Sequence, residues 1–187
     1  KLGQIKLIDP VDETAVAYFK DLNPRDLTDT ALAQQAKALT QIGATRIEEA
    51  KYAEAADNFA SAHARTTVLI ARHPRDADMR FEHAQVEYWT GFVARRRGEI
   101  ATAREWLTRY RDSGAALVAL EGKTLRAQRE LTSGEHNLAV LVVDRVNLPD
   151  AQKGFVAERV SVTEMLTVTP DATTLRYRLA DIASWLE

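Results

Sequence analysis

The sequence predicts an all-α fold, an α-solenoid of antiparallel helix pairs. Three observations carry this: an internal repeat without gaps, helical spacing of apolar residues inside each repeat, and helix breakers at matching places. The repeat comes first, because a fixed period of this length defines an architecture. Shifting the 187-residue chain by 48 residues, the separation of Gly43 and Gly91, lays Gly43 on Gly91 and Ala139, and Ala55 on Ala103 and Ala151. Phe59, Leu107 and Phe155 then coincide, as do Leu69, Leu117 and Met165, and the breakers Pro74, Gly122 and Pro170. Ala84, Thr132 and Ala180 follow, then Trp89, Asn137 and Trp185, so the register holds into the next helix.

Within the unit, Tyr52, Ala55, Ala56, Phe59, Ala62 and His63 fall at three-to-four spacing, one buried stripe of a helix, and strand-like alternation is absent. His73-Pro74-Arg75 before Asp76, Gly98 after three arginines, and Thr169-Pro170-Asp171 mark helix ends. The expected helices cover residues 11–22, 29–48, 52–72, 76–97, 99–120, 123–145, 150–168 and 171–187. Small residues recur because Gly or Ala at a helix crossing lets two backbones approach to the short end of about 8 to 10 Å. Phe59, Leu107 or Phe155 would fill the space beside each crossing.

Composition narrows the function. Apolar residues make up 45% and charged residues 28%, which suits a folded domain rather than disorder. A formal charge of -2 with both signs interleaved gives no positive field to gather a polyanion, so nucleic acid is not an expected partner. No apolar run approaches the roughly 18 to 20 residues needed to cross a bilayer, so no membrane partner is expected within this segment. With no cysteine there is no disulfide or thiolate metal site, and cytoplasm and periplasm both stay open. Residue 1 is Lys with no signal-like segment after it, which reads as a piece of a longer chain.

The spacing of Gly43, Ala55 and Phe59 resembles the G, A-x3-F core of the tetratricopeptide repeat, and Gly91, Ala103, Leu107 and Ala139, Ala151, Phe155 repeat it. Tyr52 and Ala62 also fit, while Ala139 stands where the motif has glycine and Arg46, Ala94 and Val142 stand where it has a first-helix tyrosine. The family period is about 34 residues, so units of 48 imply unusually long helices. The resemblance implies a right-handed superhelix over residues 28–187, in units 28–75, 76–122 and 123–170 with the first helix of a fourth at 171–187. Residues 1–27 would then be a leading helix that caps the stack.

The resemblance also implies that the first helix of each pair lines a concave groove for a peptide or a helix. By register, the groove positions are Lys37, Thr40, Ala44 and Ile47, then Gln85, Tyr88, Trp89, Phe92, Arg95 and Arg96, then Ser133, His136, Asn137, Val140 and Asp144. The middle set is richest in the Tyr, Trp and Arg that anchor interfaces, although Tyr88 and Trp89 could equally pack as core. Positions that carry a carboxylate clamp in chaperone-binding relatives are Thr40, Ala44, Trp89, Ser133 and Asn137, so that specificity is not implied. Long-helix repeats of this kind also resemble docking or sensory parts of bacterial signalling proteins.

No phosphate-binding, dinucleotide, nucleophile-elbow or zinc-protease motif is present, so no enzyme activity and no cofactor are expected. His63, His73, His83 and His136 lie on different expected elements without two-histidine spacing, and no metal is expected. Glu48-Glu49 and Asp76-Asp78 sit at helix ends, where carboxylates favour N-termini or are solvated. Arg95-Arg96-Arg97 could offer donors to an anion or simply complement a helix C-terminus. The expected role is a protein- or peptide-binding scaffold within a regulatory protein. The alternative is self-association through helix 171–187, whose Trp185 and Leu186 lack a following helix to cover them.

Overall fold

The helix starts repeat as the sequence does. Thr28, Asp76 and Thr124 stand one period apart, and their side-chain oxygens accept from the backbone N–H of Ala31 at 3.2 Å, Met79 at 2.9 Å and Ala127 at 3.2 Å. Each satisfies a backbone donor that a first turn leaves open, an effect of about 0.5 to 2 kcal/mol. The computed structural model describes Phe19, residues 22–143 and residues 148–186. After a 3-10 turn at Pro24–Asp26 come α1 (Asp29–Glu48), α2 (Tyr52–Arg72), α3 (Ala77–Arg96), α4 (Ile100–Glu121), α5 (Leu125–Val143), α6 (Leu148–Val168) and α7 (Thr173–Leu186). There is no strand among the described residues. The leading helix expected at 11–22 lies outside them, apart from Phe19 and Leu22.

α1 and α2 match the expected spans, and α3, α4 and α7 differ at their ends by one or two residues. The start of α6 at Leu148, ahead of the expected residue 150, takes Pro149 into the first turn, where its missing N–H goes unused.

The turns between paired helices are also periodic. Ala50 has φ 58° and Gly98 has φ 76°, one period apart. Each turn closes with a six-to-one bond, Lys51 N–H to Arg46 O at 2.8 Å and Glu99 N–H to Ala94 O at 2.9 Å, the pattern of a left-handed helix cap. Glycine adopts that backbone freely, whereas alanine is strained there by about 1 to 2 kcal/mol. Ala50→Gly is therefore expected to raise the melting temperature by about 2 °C, the relief exceeding the extra chain entropy of glycine, as thermal denaturation will show.

Packing runs in chain order. Each helix packs against the one before and the one after it, and smaller contacts join α1 to α3 and α3 to α5. α3 thus lies beside both α1 and α5. At the first crossing a Cβ on Gly43 would lie 2.7 Å from the Phe59 ring, and at the second a Cβ on Gly91 would lie 2.8 Å from Leu107. The third crossing reverses the roles: Gly154 on α6 faces Ala139 on α5, with 2.7 Å from a Cβ on Gly154 to that of Ala139. A glycine moved to the opposite helix offsets the alanine that stands in the motif position. Phe59, Leu107 and Phe155, all at most 1% exposed, fill the space beside these crossings. Phe59 stacks on Trp89 at 6.1 Å and 7°, and two periods later Phe155 stacks on Trp185 at 5.5 Å and 14°.

Candidate binding face

The first helices of successive pairs, α1, α3, α5 and α7, frame two clefts. One, of about 230 Å³, lies between α1 and α3 with α2 as its floor. The other, of about 140 Å³, lies between α5 and α7 over α6. Ala33, Ala36, Lys37, Thr66, Leu69, Asp78, Met79 and Glu82 line the first; Arg129, Thr132, Ser133, Val162, Met165, Thr174, Leu175 and Arg178 line the second. Each member of the second set stands two periods beyond its counterpart, so the clefts are one structural site built twice from different residues.

Their chemistry differs. The first is mainly apolar, with Ala33, Ala36, Leu69, Met79 and Val86, and carries Lys37, Asp78 and Glu82. The second carries Arg129 and Arg178 with the hydroxyls of Thr132, Ser133 and Thr174, and no carboxylate is in its lining. Arg178 Nε donates to the fully buried Glu158 at 2.6 Å, while its Nη2 is a buried donor without a hydrogen-bond partner. The same position between them, where α3 and α5 meet, is bridged. Gln85 Nε2 and Tyr110 Oη both donate to Glu130 Oε2 at 2.6 Å, and the Arg126 guanidinium lies 5.3 Å from the Phe81 ring centre. Burial pushes the Glu130 carboxyl up, against the pull of the Tyr110 and Gln85 hydrogen bonds.

An aromatic ledge follows the Gln85 bridge along α3. Tyr88 meets Trp89 at 5.0 Å, Phe92 at 6.2 Å and Tyr110 at 5.4 Å, and Arg96 lies over Phe92 at 5.2 Å. Burial pushes the Tyr88 phenol up, and the charges of Arg178 and Arg95 pull it the other way.

The sequence-derived groove residues divide three ways. Lys37 and Thr40 line the first cleft, Thr40 bonding back to Ala36 O at 2.8 Å, and Ser133 lines the second. Gln85, Tyr88, Trp89, Phe92, Arg95 and exposed Arg96 form or flank the ledge; Tyr88 and Trp89 are half-buried and pack on core groups as well as facing outward. Ala44 and Ile47 are half-buried, Ile47 against the core around Phe59. Two positions are corrected. Val140 is 7% exposed, in the core with Phe155, and His136 turns onto α6, donating or accepting at Nδ1 with Glu158 at 2.7 Å and meeting the Phe155 ring at 5.6 Å. Both therefore pack against α6. Asn137 bonds to Ser133 O at 2.7 Å, and Asp144 lies outside the described residues. Of the arginine run, Arg97 pairs with Glu99 at 2.9 Å.

Behind α3, at its seam with α2 and α4, the fold gathers a cluster that spacing along the chain did not reveal: His63, His83 and Glu87. The one signal for it in the sequence is the four-residue step from His83 to Glu87, which puts both on one helix face. Burial first, then the neighbouring His83, holds His63 down at about 4 from 6.5, with Glu87 pulling the other way. The folded state therefore refuses a proton that the unfolded chain accepts. The stability this neutral imidazole supports is complete above 6.5 and declines as pH falls through the window toward 4. In metal-free buffer, the melting temperature is expected to fall between pH 7 and 4.5, and less steeply in His63→Gln, by calorimetry at stepped pH.

No family model matches the chain, and no curated protein matches it. Among solved structures it is similar to the yeast histone chaperone Hif1, described as a scaffold protein recruiting protein complexes to core histones. The two superimpose with a TM-score of 0.59 at 14% identity, over 97% of this chain and 95% of that one. At that identity the likeness is one of fold, an all-helical arrangement along nearly the whole length.

Proposed function

We propose that the protein is a non-catalytic, peptide-binding scaffold of the tetratricopeptide kind, a docking part of a larger regulatory protein. Its helix pairs stack as an open solenoid and its ligand lies along the odd-numbered helices. The observation that carries this reading is the duplicated cleft: one repeat position, open twice, apolar at the first and cationic at the second. A single extended or helical segment laid along the face would place an apolar side chain against Leu69 and Met79 and an acidic one near Arg129 and Arg178, with Tyr88 and Phe92 as the ledge between. Packing in chain order, with contacts between alternate helices, supports a stacked arrangement. The likeness to a scaffold that recruits complexes supports a protein partner.

Selection from a random displayed-peptide library tests this. The expected consensus pairs an apolar residue with an acidic one at fixed spacing. Ala33→Trp, which fills the first cleft from an exposed position, should abolish the apolar preference, and Arg129→Glu, also at an exposed position, should turn the acidic preference basic. Each should leave the melting temperature within about 2 °C of the original. A consensus indifferent to both substitutions would count against the clefts as the binding site.

A further inference from the structure

The seam between α2, α3 and α4 is built like a cation site. His83 and Glu87 project from one face of α3, and the His63 ring on α2 lies 4.7 Å from that of His83. One nitrogen of each histidine and one oxygen of Glu87 lie within 4.8 Å of one another. His83 and Glu87 are each 5% exposed, so whatever satisfies them comes from inside the seam.

The surrounding hydrogen bonds orient the donors. Thr66 Oγ1 lies 3.2 Å from His63 O and 2.8 Å from His83 Nδ1. Its single proton, given to the carbonyl as helical threonines commonly do, leaves it to accept from His83 Nδ1–H, which makes Nε2 the bare nitrogen. Ser113 Oγ donates to Glu87 Oε2 at 2.6 Å, leaving Oε1 to face His83 Nε2 at 3.3 Å. Two lone pairs facing at this distance call for a positive charge between them. A zinc-type ion with bonds of about 2.0 to 2.2 Å places neighbouring donors about 3.3 Å apart, the separation found here. His63 is the third donor, with a ring nitrogen within 4.8 Å of the other two ligand atoms, and its ring meets that of Trp106 edge-on at 4.7 Å between centres. The nearby Arg109 is offset by Glu105 at 2.6 Å and lies over the Trp106 ring at 4.5 Å.

We propose that His63, His83 and Glu87 form a binding site for a divalent transition-metal ion of the zinc, cobalt or nickel class, with solvent completing its coordination. Thr66 and Ser113 orient the ligands, as outer partners of metal-bound histidines and carboxylates do. A bound ion would tie α2 to α3 behind the peptide-binding face. The site does not depend on the peptide-binding reading.

The test uses the metal alone. Chain stripped with chelator is titrated with ZnCl2 by calorimetry and with CoCl2 by visible absorption. The expected results are one ion per chain, cobalt bands of four- or five-coordinate nitrogen and oxygen ligation, and a melting temperature raised by about 5 °C or more at a hundredfold excess over Kd. His63→Gln, at the least buried ligand, should weaken binding at least tenfold, and Glu87→Gln likewise, while His73→Gln on the other side of the first pair should not. Should Glu87→Gln fail to fold, paramagnetic broadening of the His63 and His83 ring signals by cobalt in the unaltered chain is decisive, because binding elsewhere would spare them. Absence of binding up to millimolar metal, or binding equally tight in His63→Gln, overturns the proposal and leaves a proton alone between His83 and Glu87.

Discussion

Gly114→Val should lower the melting temperature by about 10 °C. A Cβ on Gly114 would lie 2.7 Å from Leu131 N, 2.8 Å from Leu131 Cα and 2.9 Å from Glu130 C, all backbone atoms of α5. Gly43 is as crowded, but its neighbours are the tip of the Phe59 ring, which can swing aside. A helix backbone cannot move without displacing α5, which also carries Glu130 and its bridge to Gln85 and Tyr110. The opposite side of the same contact is as tight, with 2.6 Å from a Cβ on Gly134 to Arg111 Cα, so relaxation there is blocked too. Overpacking of this kind costs about 1 to 3 kcal/mol or more, and a chain of this size loses roughly 2 to 4 °C per kcal/mol. A melting curve of Gly114→Val matching the original would show that α4 and α5 do not approach so closely.

Phe155→Ala should destabilise the chain by about 3 to 5 kcal/mol, the range for removing a buried aromatic ring. Phe155 is 1% exposed, lies beneath His136 and Trp185, and belongs to the core shared by α5, α6 and α7. Its removal leaves a cavity and takes away the stacking partner of Trp185, a residue already 45% exposed. Urea denaturation should therefore show both a lower midpoint and an altered tryptophan signal before the main transition, as α7 loosens first. A change below about 1 kcal/mol would mean that α7 is held by something other than this stack.

What could be read from the chain in advance was whatever acts locally or repeats. Helix ends are marked by His73-Pro74-Arg75 before Asp76, by Gly98 and by Thr169-Pro170-Asp171, and the structure adds the caps Thr28 and Thr124 one period to either side of Asp76. Gly43 against Phe59 and Gly91 against Leu107 follow from register, since each pair has the same spacing across a helix turn-back. The Gly114–Gly134 contact was not legible, because it joins one pair to the next, and one period earlier stand Thr66 and Val86, with no small residue to flag it. His136 and Val140 matched groove positions by register, yet Glu158 and Phe155 on α6 lie against them. The histidine cluster was hidden for a similar reason: its members come from two helices and are held by Thr66 and Ser113 from two as well. Sequence spacing sees one helix face at a time.

The duplicated cleft joins these findings to function. The same repeat positions line both clefts, mainly apolar in the first and rich in arginine and hydroxyl groups in the second. Amide chemical-shift mapping with a peptide taken from library selection puts this most directly to the test. Shifts should concentrate on α1, α3, α5 and α7, strongest around Lys37, Met79, Arg129 and Arg178, with Tyr88 and Phe92 between. A map confined to the outward surfaces of α2, α4 and α6 would contradict the account.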